Sequence, residues 1–122
     1  MSINITGPGI GYCILENAKI AGLENQCVQQ MEFAQQCELG FLNGKTSKAQ
    51  LDKAYQASHQ TLSIIENTTR IFARNIQVNV LGREKTDSLD KKDLQPLAQT
   101  LYPGSKEAQE RFITRVLSFP KF

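Results

Sequence analysis

The chain has 122 residues, of which 40% are hydrophobic and 21% charged. That size suits one domain with a single core, and that composition excludes an intrinsically disordered chain. Residues 1–61 carry four Lys/Arg against five Asp/Glu and residues 62–122 carry ten against seven; the resulting net charge of +2 is too small and too mixed to argue for a polyanionic partner.

No run of about 18 apolar residues is present, so no membrane span is expected. The first charged residue is Glu16, so the apolar residues before it lack the positive flank of a secretory signal. The expected location is cytoplasmic, with export only by a route that needs no conventional cleaved signal peptide. The sequons Asn4-Ile5-Thr6 and Asn67-Thr68-Thr69 then read as chance matches, because glycosylation requires secretory entry.

Residues 1–10 read as a flexible or extended arm, in which Ile3 and Ile5 alternate before Gly7-Pro8-Gly9. Gly7, Gly9 and Gly11 imitate a dinucleotide-binding loop, but Tyr12 stands where the third glycine belongs. Pro8 also removes a backbone N–H that a phosphate cradle would use. No cofactor is expected.

Residues 11–122 read as a single helical domain. The first helix is expected over about 11–39. Cys13, Ile20, Cys27, Ala34 and Phe41 recur every seven residues, Leu23, Met31 and Cys37 fall on the same side, and glutamines crowd the outside in a near-heptad, coiled-coil-like rhythm. Gly22 is its weak point, expected to mark a break or a close helix crossing. Asn43-Gly44 signals a turn, and Ser47 with Gln50 spells a capping box for a second helix over 48–76. So short a connector makes the two helices an antiparallel hairpin.

The second helix has two apolar rows. One runs through Leu51, Tyr55, Ser58, Leu62, Ile65, Thr69, Phe72 and Ile76; the other, nearly opposite, through Ala57, Ile64, Ile71 and Val78. A helix apolar on two sides is buried in its own domain or offers one side to a partner, so the second row is the candidate interface. Ile76, Val78 and Val80 also alternate, which leaves open a minor two-stranded element pairing 76–80 with 2–6.

Residues 82–90 read as a loop. Leu94, Leu97 and Leu101 predict a helix over 94–101 with Pro96 in its first turn, and Ser105 caps a last helix over 106–118. Ala108, Phe112, Val116 and Phe119 form its apolar side, Glu107, Arg111 and Arg115 its charged side, and Pro120 its stop. The fold class is therefore all-α: a long antiparallel helical hairpin with two short C-terminal helices.

Candidate chemistry is sparse. Cys13, Cys27 and Cys37 lie on one helical stripe, too far apart along a continuous helix to bridge, and none has zinc spacing; they read as buried, reduced core residues. His59, the lone histidine, would need a cysteine of the first helix beside it to make a nucleophile pair. Asp87, Asp90 and Asp93 lack the glycine and terminal glutamate of a calcium loop. Arg70, Arg74, Arg83 and Lys85, with Arg111 and Arg115, would form a basic patch if the two groups converge.

The expected function is a non-enzymatic interaction module, an adaptor, chaperone or assembly component that uses apolar helical faces to self-associate or bind a protein partner. Residues 1–15, uncharged and bearing Ser, Ile, Asn and Thr, resemble in composition the N-termini of substrates exported by specialised bacterial secretion systems, which implies a secretion-related assembly. Two alternatives stay open: a small nucleic-acid-associated regulator using the basic residues, and an enzyme with a Cys/His site.

Overall fold

The computed structural model describes residues 8–84 and 88–118. The expected strand at 2–6, Lys85, Asp87, Phe119 and Pro120 lie outside them. Among the described residues the chain is all-α, with helices α1 (Pro8–Leu42), α2 (Lys48–Asn75), α3 (Lys91–Leu101) and α4 (Lys106–Leu117), and no strand. Ile76–Val80, where helix and strand competed, is π-helical: the Leu81 amide donates to the Ile76 carbonyl at 2.9 Å, five residues back. Gly82 follows with φ +67°, a left-handed conformation that ends the helix at no steric cost to glycine.

α1 begins earlier than its apolar periodicity does. Pro8 takes the first helical position, where its fixed φ suits the helix and its missing N–H costs nothing. Residues 8–10, expected in the arm, are therefore helical. Gly22 marks neither a break nor a close crossing: α1 runs through it, and a Cβ there would meet nothing within 4 Å.

The described residues form two compact units, one from the residues up to Ala18 together with those from Thr68 on, the other being Lys19–Asn67. The second unit is the predicted hairpin. Its turn is built as expected: the Gln50 amide donates to Ser47 Oγ at 3.2 Å and the Ser47 amide to Gln50 Oε1 at 3.0 Å. Across it Tyr55 donates to Glu38 at 2.9 Å, and the Cys27 thiol, farther from the turn, to the Ser58 carbonyl at 3.7 Å, as an antiparallel hairpin requires. The core here is made of small side chains, Ala34, Cys37 and Ala54, with Leu51 packed against them. Close helix approach selects small residues, so the buried stripe of α2 passes through Ala54, Ser58 and Thr61, while the expected Tyr55 and Leu62 stand exposed. Met31 and Phe41, also expected inside, are exposed as well.

The other unit is packed on aromatic rings. Phe72 meets Phe112 edge-on at 6.1 Å between centroids, Tyr12 flanks Phe72 at 5.9 Å, and Tyr102 flanks Phe112 at 6.3 Å. α3 and α4 pack against each other, burying Leu94, Leu97, Ala98 and Leu101 of the first and Phe112, Ile113 and Val116 of the second. α3 starts a turn before the prediction. Asp90 and Asp93 form a reciprocal capping box, which places Pro96 inside the helix rather than in its first turn. Ser105 caps α4 as expected. Arg115 leaves the charged side of α4 and donates to Asn17, whose amide donates in turn to the Tyr102 hydroxyl.

Candidate interaction groove

A groove of about 740 Å³ lies within the hairpin unit, between α1 and α2. Its floor consists of buried Cys37 and Ala54 with half-buried Ala57. Small side chains let the helices approach closely and leave a trough above them. Glutamines form most of the rim: Gln26, Gln29 and Gln36 from α1 and Gln50 from α2, all exposed. Gln30 lines it too, and its Oε1 is buried with no hydrogen-bond donor among the described residues. Lys45, Thr46 and Lys53 stand toward the turn. Among the described residues no carboxylate lines the groove. Phe33 projects from its α1 wall with 59% of its surface exposed.

The groove absorbs one of the four residues expected at an interface. Ala57 lies in its floor. Ile64, seven residues on along the same row of α2, is 52% exposed, and Ile71 is 58% exposed. Val78 is half-buried in the π-helical stretch. The row is thus outside the buried core at Ile64 and Ile71, the two positions that carry most of its apolar surface. Phe33 and the glutamine rim escaped the sequence reading, which counted glutamines only as a solvated outer face. Their recurrence at 26, 29, 30 and 36, around an aromatic residue at 33, was the available signal.

The five arginines expected in a basic patch are engaged within the chain. Arg83 pairs with Asp93, Arg111 lies 3.3 Å from Glu107, and Arg115 is held by Asn17. Arg70 and Arg74 are half-buried and make contacts of their own; Lys85 falls outside the described residues. The Asp90 backbone amide donating to Asp93, and then the neighbouring Arg83 guanidinium, hold the Asp93 carboxyl below its ordinary range.

The three cysteines are buried and unbridged. Burial pushes the Cys13 thiol up to about 11. Burial likewise raises the Tyr12 phenol, against the hydrogen bond that Asn75 donates to it at 2.8 Å. The Tyr55 phenol is raised chiefly by its hydrogen bond to the Glu38 carboxylate. His59 is exposed, while the nearby Cys27 thiol is spent on the Ser58 carbonyl. Among the described residues no group of three or more His, Cys, Asp or Glu side chains is arranged to hold a metal ion, and no helix is long and apolar enough to cross a membrane. No protein-family model, curated protein sequence or solved structure matches this chain.

Proposed function

We propose that the chain is a non-enzymatic protein–protein interaction module that acts through apolar helical surface of the hairpin. The observation that carries this reading is the amount of large apolar side chain the hairpin leaves outside. Val28, Met31, Phe33, Leu39, Phe41 and Leu42 of α1 and Leu62 and Ile64 of α2 are all exposed. Single exposed apolar residues are ordinary, but this concentration on one two-helix unit marks a surface made to be covered. Two helices can bury only one seam between them, and here the seam is filled by alanine and cysteine. An adaptor or assembly component of a larger complex fits this surface.

The test joins light scattering on the full chain with fluorescence of an apolar-surface dye. Assembly, or a monomer that brightens the dye strongly, supports the reading. A strict monomer that leaves the dye dark refutes it. Ile71→Asp, at an exposed position, should leave the far-ultraviolet helical signal unchanged; loss of that signal would make Ile71 core and remove the row from the argument.

A further inference from the structure

The groove has features that select a particular occupant. Its rim is made of amides, which carry donor and acceptor together and can face any polar group, including copies of themselves. A rim of like charges would repel its own copy; this one has no carboxylate among the described residues, and its lysines are confined to the turn end. The same face also carries both a knob and a hole. Phe33 projects from α1, while Ala57 leaves α2 low. Cys37 and Ala54 pack together in the seam, and Phe33 and Ala57, four and three residues farther from the turn and both lining the groove, therefore stand at about the same level across it. A surface that holds a projection and a matching recess at one level is self-complementary under a two-fold rotation.

We infer that the groove is a homodimer interface, in which two copies stack their hairpins about a two-fold axis running along the groove. This rests on the interaction reading above and names its partner. Each α1 then lies over the second copy's α2, so Phe33 enters the recess at the partner's Ala57. At the same time Lys53 faces the partner's Gln36 rather than another lysine. Gln30 Oε1, which has no donor among the described residues, comes to lie in an interface supplied with amide N–H groups. The arrangement is a four-helix bundle made of two helical hairpins. The hairpin face measures roughly 30 Å by 20 Å from helix rise and spacing, and side-chain relief brings it near the ~800 Å² per partner of a stable dimer.

The experiment is sedimentation equilibrium on the full chain across a concentration series, with a size swap at the two positions. The wild type should dimerise. Phe33→Glu and Ala57→Phe should each raise the dissociation constant about 30-fold or more, as loss or blockage of a central anchor does. Phe33 is exposed, so its substitution leaves the monomer folded, with helicity by circular dichroism as the check. The double variant Phe33→Ala with Ala57→Phe exchanges knob and hole, and should restore dimerisation to within about tenfold of wild type. A monomeric wild type that brightens the apolar dye overturns the homodimer and leaves the interaction reading standing, with a foreign helix as the occupant. A dimer indifferent to both single variants overturns the groove as its seat. A monomer that leaves the dye dark overturns both.

Discussion

Gly22 and Gly40 belong to the same helix, and replacing each by alanine should move stability in opposite directions. In a helix interior the exchange gains about 1 kcal/mol, because alanine loses less backbone entropy on folding. At Gly22 nothing opposes that gain, since the added Cβ meets no atom within 4 Å. At Gly40 the same Cβ overlaps the Thr46 hydroxyl and comes within 3.1 Å of Thr46 Cβ. The turn cannot simply retreat. Its Lys45 and Thr46 amides both donate to the Gly40 carbonyl, at 2.7 and 3.1 Å. Loosening that pair costs about 1 kcal/mol per bond, so roughly 2 kcal/mol stands against the 1 gained. Gly40→Ala should therefore destabilise by about 1 kcal/mol and Gly22→Ala stabilise by about as much. In thermal unfolding followed by circular dichroism, each should shift the midpoint by about 3–6 °C, in opposite senses. Thr46→Gly in the Gly40→Ala background should recover part of the loss, as a double-mutant cycle between contacting residues does. If both single variants raise the midpoint equally, the turn does not close on Gly40 and the account of the hairpin is wrong.

Phe112→Ala removes a fully buried ring and two aromatic contacts, and should lower unfolding free energy in urea by about 3–5 kcal/mol. For Asp93 the folded carboxyl titrates below its unfolded value of ~3.9. The stability it contributes is therefore present above that value and lost as pH falls through the folded one. The urea midpoint of the wild type should drop between pH 5 and pH 3, and Asp93→Asn should shrink that drop. Cys13, fully buried with its thiol raised to about 11, should resist maleimide at pH 8 in the native chain and label promptly in urea; rapid native labelling would contradict its placement.

The parts of the fold written in a repeating pattern were readable beforehand. Cys13, Ile20, Cys27 and Ala34, seven residues apart, are all buried, and Ser47 with Gln50 caps α2 as their spacing required. What failed depended on size rather than periodicity. Apolar bulk favoured Tyr55 and Leu62 for the seam, whereas the helices approach over Ala54, Ser58 and Thr61. The π-helical turn could not be told from a strand, because three β-branched residues alternate in either. Asn17 was legible but unread: a polar residue four after Cys13 and three before Ile20 lies on the buried stripe, and a buried amide needs partners. Arg115 was unreadable for a related reason, since its acceptor Asn17 lies 98 residues away in sequence.

The Asn17 contacts have a further consequence in time. Tyr102 and Arg115 lie 85 and 98 residues beyond it, and at roughly 5–20 residues per second translation takes about 5–20 s to deliver the second. The hairpin needs no such wait, because Glu38 and Tyr55 are only 17 residues apart, and local pairings of this kind close in far less than a second. A nascent chain halted at Leu101 should accordingly show a protease-resistant hairpin beside a cleavable stretch around Tyr12 and Asn17. The two units are thus born in sequence, with Asn17 synthesised well before the residues that satisfy it.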